Sequence, residues 1–227
     1  MKTNKILISL LALLVVCFGV VKITKGAGAS EIIVTWKTDT YAPAWFLGKI
    51  LPTRNSNISA AVSVVDNGVL ADLSEFEIRW DGGGEVFQSG IGLDSFNFKV
   101  PKFSSGEQSL TVSIVGYNGS NIRKTVFIPI VNPEIIIDTN LTDELVKSGG
   151  TVNIRALPFF FNVKNDSEID LSWQINGERL QNQSVKNAIQ LKIPELKSDS
   201  LIVKASASNK SDDFEFTGTQ KYFNLVQ

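Results

Sequence analysis

The chain of 227 residues contains no histidine and a single cysteine, Cys17. Without imidazole, Ser-His-Asp and Cys-His catalysis is ruled out, and the usual zinc sites require His or Cys ligands. None of the motifs Gly-x-Ser-x-Gly, Ser-x-x-Lys and Gly-x-x-x-x-Gly-Lys occurs. The sequence therefore predicts a protein that is not an enzyme, with no catalytic, cofactor-binding or metal-binding residues and no cofactor.

The isolated cysteine also excludes disulfides as a source of stability. Cys17 lies in an apolar N-terminal stretch, so the rest of the chain contains no thiol at all. Hydrophobic residues make up 43% of the chain and charged residues 20%, which is ordinary for a globular protein. We therefore expect well-packed hydrophobic cores, rather than cross-links, to hold the fold together.

Positive charge is sparse beyond the N-terminus. The first 29 residues contain four of the 22 basic residues and no acidic residue. The remainder has 18 basic and 23 acidic residues, a net charge of −5. This balance argues against nucleic acid as a partner, because nucleic-acid binding requires a basic surface.

Residues 1–29 have the pattern of an export signal. Lys2 and Lys5 precede a run of sixteen uncharged residues, 6–21, and the segment ends in Ala27-Gly28-Ala29. These features are typical of a secretory signal that is cleaved after its last small residue. The alternative is an uncleaved signal anchor, in which residues 6–21 form a helix in the membrane. In that case this segment is the only part of the protein that is predicted to contact the membrane. In both cases the remaining chain is predicted to be exported, to the cell envelope or the extracellular space.

A short block of sequence occurs twice. It runs from Ser74 to Glu85 and again from Ser167 to Glu178, and both copies read Ser-Glu-apolar-acid-apolar-x-Trp, then three residues, then Gly-Glu. Alternating apolar residues that end in a tryptophan predict a half-buried β-strand with the indole on its inner face. Asn176-Gly177, which follows the second tryptophan, is a strong signal for a β-hairpin.

The duplication continues downstream of each tryptophan. A strand pattern closed by proline, Phe96–Pro101, is matched by Ile189–Pro194, and the offset between the two copies remains 93 residues. A fixed offset over several strands indicates that each half is one folding unit. We therefore predict two all-β domains, residues 30–132 and 133–227, joined without a flexible Gly/Ser-rich linker.

The region after the first tryptophan resembles a known family. Trp80-Asp81 is followed by glycines, then by a strand that ends in Pro101, then by Leu-Thr-Val-Ser-Ile-Val at residues 110–115. This pattern is similar to the polycystic-kidney-disease (PKD) and immunoglobulin-like repeats of bacterial exported surface proteins. The resemblance covers both halves and implies two tandem antiparallel β-sandwiches that bind or hold a partner rather than catalyse a reaction.

Two aromatic segments are candidates for a contact surface. Trp45-Phe46 lies within residues 41–53, where two prolines exclude a central strand, so this segment is expected along an edge or across the end of a sandwich. In Phe159-Phe160-Phe161, strand alternation predicts that the first and third rings share one face and the second ring occupies the other. Each segment has two interpretations, a partner surface or burial. Burial is favoured because aromatic rings usually fill cores and junctions.

Acidic residues in predicted loops raise the question of calcium, which prefers carboxylate and carbonyl oxygens. The candidates are Asp66, Asp81, Glu85, Asp212 and Asp213. A calcium site needs about six to eight oxygen ligands, and no compact run of acids supplies them. Solvated turn residues are the favoured interpretation, and no metal ligand is assigned.

Three functions are compatible with these features. The first is a non-enzymatic structural or adhesive module of the cell surface or envelope, with an unidentified protein or glycan as partner. The second is a subunit or accessory of an extracellular appendage or envelope complex, docking by an edge strand or by the apolar face at Phe159–Phe161. The third is an exported carbohydrate-binding module, which requires exposed coplanar rings among Trp36, Trp45, Trp80 and Trp173.

Overall fold

The computed structural model describes residues 30–82, 87–141, 144–180, 187–193 and 200–226. These residues form β-strands and one short 3-10 helix, Asp166–Glu168, which confirms the predicted all-β class. The predicted signal or anchor helix at residues 6–21 lies outside the described residues, as do Glu85 and Pro194. Within the described part of the chain, no helix has the length and hydropathy needed to cross a bilayer.

The first sandwich consists of two facing antiparallel sheets. In one sheet, β2 pairs with β1 on one side and with β6 and the short β3 on the other. In the second sheet the strand order is β5-β4-β7-β8. This arrangement is that of an immunoglobulin-like sandwich. The strands are β1 (Glu31–Thr38), β2 (Asn57–Asp66), β3 (Val69–Leu70), β4 (Glu77–Asp81), β5 (Phe87–Ile91), β6 (Ser95–Lys99), β7 (Gly106–Tyr117) and β8 (Ser120–Ile130).

The second sandwich repeats this arrangement with one addition and, among the described residues, without a counterpart of β3. Its smaller sheet has the order β14-β11-β9 and its larger sheet the order β10-β16-β15-β12-β13. The addition is β10, which pairs in parallel with the end of β16. The strands are β9 (Glu134–Thr139), β10 (Leu145–Lys147), β11 (Thr151–Phe159), β12 (Ile169–Ile175), β13 (Glu178–Arg179), β14 (Ala188–Lys192), β15 (Ser200–Asn209) and β16 (Asp212–Val226).

The two repeated tryptophans occupy equivalent positions, as the duplication predicted. Trp80 on β4 pairs with Val112 on β7, and Trp173 on β12 pairs with Ala205 on β15. Both indoles are buried, at 0% and 4% exposure. Each half therefore builds its core around the same strand pair, because alternating apolar residues on both strands point toward the facing sheet.

The hairpin turns follow the local sequence. Asn176 and Gly177 both have positive φ, 50° and 87°, which confirms the predicted hairpin between β12 and β13. Asn67-Gly68 and Asn118-Gly119 adopt the same conformation between their strands. Positive φ at both central residues defines the type I′ turn, whose twist matches that of the flanking strands.

The repeated block is shorter as a strand than its sequence pattern indicates. The strands begin at Glu77 and Ile169, so the leading Ser-Glu of each copy precedes them. In the second copy this dipeptide lies in the 3-10 helix, where the Asn165 side chain accepts a hydrogen bond from Ser167 N. Side-chain capping thus competes with the sheet at the start of this strand.

Candidate binding cleft at the junction of the two sandwiches

A segment of the first sandwich reaches onto the second. Residues 39–56 connect β1 to β2, and the backbone of Tyr41 within them pairs with the end of β11. Tyr41 N donates a hydrogen bond to Phe161 O over 2.7 Å, and Phe160 N donates one to Tyr41 O over 2.6 Å. The two sandwiches are therefore held by direct backbone hydrogen bonds, in addition to the connection at residues 131–133.

Aromatic rings fill the space around this backbone contact. The Phe46 ring centroid lies 5.2 Å from that of Phe159 and 6.4 Å from that of Phe160. Trp45 meets Phe159 edge-on at 6.2 Å. Phe159 and Phe160 are buried here, and Phe161 lies in the core of the second sandwich. Burial of the three phenylalanines is thus confirmed, and the docking face predicted for them as an alternative does not exist.

The strand alternation predicted for these phenylalanines is wrong. Phe160 has φ = 63°, in the left-handed region, so β11 ends at Phe159. The Phe159 and Phe160 rings then pack together at the junction, whereas Phe161 lies in the core of the second sandwich. A bulky residue rarely adopts this conformation and needs support from its surroundings. The hydrogen bonds to Tyr41 supply that support, so packing at the junction overrides the local pattern.

A buried carboxylate also connects the sandwiches. Glu215, on β16, accepts hydrogen bonds from Asn162 N at 2.9 Å and from Asn209 Nδ2 at 2.6 Å. Thr53 Oγ1 of the first sandwich lies 3.5 Å from the same carboxylate and donates a third hydrogen bond. Asn162 Nδ2 in turn donates to Arg54 O over 2.7 Å. The network therefore joins the β1–β2 segment to two loops of the second sandwich.

A β-bulge brings this carboxylate to the junction. Ser208 pairs with Phe216, but the next residue, Asn209, pairs with Asp212, so residues 213–215 are additional on the β16 side. An extra segment in one strand bends it and redirects its side chains. Here the bulge turns Glu215 inward while both of its phenylalanine neighbours stay exposed.

Burial raises the pKa of Glu215 above its ordinary value. Hydrogen bonds from Asn209, Asn162 N and Thr53 lower this pKa in part, and the charge of Asp212 raises it further. Because the folded state holds this proton more tightly than the unfolded chain, the contribution of Glu215 to stability is fully present below the ordinary carboxyl pKa. That contribution is lost as the pH rises through the raised pKa.

We expect Glu215→Ala to lower the free energy of unfolding by about 2 kcal/mol, because buried donors on both sandwiches lose their acceptor. Glu215→Gln is the matched control, since its amide oxygen can still accept the hydrogen bonds from Asn162 N and Thr53 Oγ1. This variant should stay within about 1 kcal/mol of the wild type and lose the pH dependence. Denaturant unfolding between about pH 4 and pH 8 measures both effects. Equal losses in the two variants would contradict the role assigned to the carboxylate.

Beside Glu215 the junction opens into a cleft of about 510 Å³. This junction cleft is lined by residues 53–55 and 102–103 of the first sandwich, by the connection 131–133, and by Asn162, Asp212 and residues 214–217 of the second. Its volume lies in the range of pockets that accept small ligands or the anchoring side chains of a partner.

Three phenylalanines form the rim of the junction cleft. Phe103 is 89% exposed, Phe214 80% and Phe216 68%. Phe103 comes from the loop between β6 and β7, whereas the other two flank Glu215 on β16. Lys102 Nζ lies 4.8 Å from the ring centroid of Phe214, a cation–π contact across the junction. Both sandwiches therefore contribute exposed rings to one surface.

The sequence-based predictions did not include these three residues. Phe103 lies in a polar loop, Lys102-Phe103-Ser104-Ser105, where no core strand can bury it. Phe214 and Phe216 alternate with a glutamate directly after two aspartates. A phenylalanine in a polar loop is the signal that could have identified Phe103. No feature of the sequence around Phe103 indicates that its ring lies beside β16.

The predicted loop acids do not come together. Asp66 accepts hydrogen bonds from neighbouring hydroxyl and amide groups at the far end of the first sandwich. Asp81 ends β4, while Asp212 and Asp213 begin β16 at the junction. In the described ranges no group of three or more metal-ligating side chains occurs, and Glu85 lies outside those ranges.

The tryptophans do not provide the paired exposed rings that the carbohydrate hypothesis requires. Trp45 is 59% exposed, whereas Trp80 and Trp173 lie in the two cores. Trp36 is half-buried on β1, and Lys49 Nζ lies 3.9 Å from the centroid of its ring. Among the exposed aromatic residues that the structure describes, Phe103, Phe214 and Phe216 meet at the junction cleft.

Comparison with known proteins gives structural similarity only. No protein-family profile matches the sequence, and no curated protein shows significant sequence similarity. The structure is similar to the three N-terminal domains of the bacteriophage RB49 highly immunogenic outer capsid protein, with a TM-score of 0.43 and 12% identity over 87% of this chain and 59% of that one. It is also similar to domains 4 and 5 of the S-layer protein SbsC, with a TM-score of 0.36 and 11% identity over 87% of this chain and 100% of that one.

A third similar structure contains the fibronectin(III)-like modules of CbhA from Clostridium thermocellum. Its TM-score is 0.28, with 15% identity over 86% of this chain and 93% of that one. The immunoglobulin-like arrangement of the present chain follows from its own strand order and pairing.

Proposed function

We propose that this chain is a non-enzymatic, exported binding module of the cell surface or envelope, which attaches to its partner through the junction cleft. The observation that carries the proposal is the convergence of three exposed phenylalanines, one from the first sandwich and two from the second, on one cleft. Clustered apolar rings on a protein surface commonly mark a site of interaction. In this proposal residues 30–132 and 133–227 are the two domains, and residues 1–29 direct export.

The junction keeps this surface in one geometry before any partner binds. Tyr41 is hydrogen-bonded to the second sandwich, Phe46 packs on its aromatic residues, and Glu215 accepts donors from both sides. A binding surface that is ordered in advance loses less conformational entropy on association. This rigidity supports a function in which the two sandwiches form one binding surface, rather than acting as two independently moving domains.

The chemistry of the cleft suits a partner with mixed character. Phe103, Phe214 and Phe216 supply apolar area, and the cation of Lys102 and the carboxylate of Asp212 lie beside them. An apolar centre with polar and charged groups at its rim is the usual composition of a specific protein interface. A protein of the cell surface or envelope is therefore the proposed partner, and a glycan is the alternative.

The test compares two double variants of the exported protein. Phe103→Ser and Phe214→Ser together should weaken binding to cells of the source organism, or to their envelope fraction, by about tenfold or more, because central aromatic residues dominate interface energy. The matched control replaces Leu47 and Phe127 with serine, since these residues are exposed elsewhere at 98% and 62%. The control should bind as the wild type does.

Four outcomes decide the proposal. Wild-type binding by the cleft variant, or an equal loss in the control variant, would contradict a site at the junction. Protease treatment of the envelope should abolish binding, since a protein partner is proposed. Binding that survives protease but is lost after periodate oxidation would identify a glycan and support the alternative.

A further inference from the structure

In the described part of the second sandwich, one sheet edge has no partner strand over seven residues. On one side, β16 pairs with β15 without interruption from Phe216 to Asn224. On its other side β16 pairs with β10, but only at residues 224–226. Among the described residues, no strand pairs with residues 216–222 on that side.

Alternate residues of this stretch direct their backbone N–H and C=O groups to the open side. Asn224 N donates a hydrogen bond to Glu144 O, which lies on the β10 side. Because the direction of N–H and C=O groups alternates with period two along a strand, the same side receives the backbone groups of Phe216, Gly218, Gln220 and Tyr222. These groups form a ladder that lacks its second strand.

The corresponding edge of the first sandwich is protected, whereas this one is not. There the outer strand of the larger sheet is β8, which contains Arg123, Lys124 and Pro129. Charged residues and proline are the devices that discourage pairing with another chain. Residues 216–222 contain one charge, Lys221, and no proline. The two halves share an architecture, so this difference is specific to the second edge.

Both ends of the open stretch are closed by structure. The bulge at residues 213–215 interrupts the strand before Phe216, and β10 occupies the edge from Asn224 onward. An added strand therefore has room for about seven residues. A partner strand that is also limited to about seven residues can pair along this whole stretch without meeting the bulge or β10.

We propose that the occupant is the same stretch of a second copy of this chain, paired antiparallel about a two-fold axis at Thr219. Such an axis pairs residues at equal distances on either side of it. Phe216 then lies opposite Tyr222 of the second copy at both ends of the ladder, and Thr217 lies opposite Lys221. Aromatic cross-strand pairs stabilise a sheet, and no like charges face each other. The interface is isologous and closes at two copies.

Sequence and exposure support this self-pairing. Phe216 is 68% exposed and Tyr222 is 52% exposed, so both rings have apolar area to bury against each other. The dimer shares Phe216 and Thr217 with the lining of the junction cleft, whereas Tyr222 lies outside that lining and reports on the dimer alone. A dimer of this kind would present two junction clefts at once and raise the avidity for a surface that carries many copies of a partner.

Cysteine cross-linking tests the register directly. Thr219 points its backbone groups toward β15, so on the two-fold axis it forms a non-hydrogen-bonded pair with its own copy. Its Cα atoms would be about 4.5 Å apart, within the range for a disulfide. In a Cys17→Ser background, Thr219→Cys should give covalent dimer on mild oxidation. The control Gln220→Cys should give at most about a tenth as much, because its partner is Gly218.

Sedimentation of the exported protein tests the association itself. The wild type should be dimeric. Tyr222→Lys should raise the dimer dissociation constant about tenfold or more, because a lysine on an edge strand discourages pairing and the aromatic cross-strand pairs are lost. The matched control Phe127→Lys, on the edge strand β8, should leave the constant unchanged. A monomeric wild type would overturn the proposal. A wild type that co-purifies with a different protein paired to this edge, and not with a second copy of itself, would overturn it as well. A dimer indifferent to Tyr222→Lys would also overturn it.

The two proposals fail separately. If the cleft variant loses binding while Tyr222→Lys still associates as the wild type does, the cleft is supported and the dimer is overturned. If Tyr222→Lys is monomeric but binds cells of the source organism with only reduced avidity, both are supported. Failure of the cleft variant to change binding leaves the sedimentation result unaffected.

Discussion

Replacing Trp80 with alanine is expected to lower the free energy of unfolding by about 4 kcal/mol. The indole is fully buried and stacks on Phe96, with ring centroids 5.7 Å apart and ring planes 14° from parallel. Its Nε1 donates a hydrogen bond to Leu93 O over 2.8 Å. Alanine would leave a cavity between the sheets and remove the partner of that carbonyl. A domain is stable by only about 5–15 kcal/mol, so this loss endangers the first sandwich.

Urea unfolding followed by circular dichroism measures this effect. Trp45→Ala is the matched control, because it removes the same side chain from a position that is 59% exposed, and it should cost about 1 kcal/mol. Trp80→Phe should fall between the two, since a ring remains but the hydrogen bond is lost. If Trp80→Ala costs no more than Trp45→Ala, then Trp80 is not the centre of the core.

Phe46→Ala is expected to uncouple the two sandwiches. The ring is half-buried between Phe159 and Phe160, so we expect a loss of about 2 kcal/mol, below the value for a fully buried phenylalanine. With the junction weakened, thermal unfolding should separate into two transitions instead of one. Differential scanning calorimetry measures the separation.

Two neighbouring residues provide the controls for this experiment. Leu47→Ala should change nothing, because Leu47 is 98% exposed. Gly48→Ala should resemble Phe46→Ala, since a Cβ on Gly48 would collide with the Phe46 ring and displace it. Two transitions already present in the wild type, or a Leu47→Ala profile like that of Phe46→Ala, would contradict a coupled junction.

The pattern of the strands was predictable because it is a local property. Alternating side chains and a terminal tryptophan identified the strands of Trp80 and Trp173, since period two decides which face of a strand is buried. Asn176-Gly177 identified its hairpin, because few other residue pairs accept positive φ at both positions. The same reasoning failed at Phe160, where a hydrogen bond donated by its N–H to a distant segment, at Tyr41 O, supports the left-handed conformation.

The sequence by itself determined that this is a duplicated, disulfide-free all-β protein, because composition and period-two patterns act within each strand. It did not determine where the exposed rings meet. Phe103 and Phe214 are separated by more than a hundred residues, and they come together because the β6–β7 loop of one sandwich faces the bulge of the other. Likewise, no local pattern marks Glu215 as buried. The tertiary structure decided these features because they arise from contacts between the two halves of the chain.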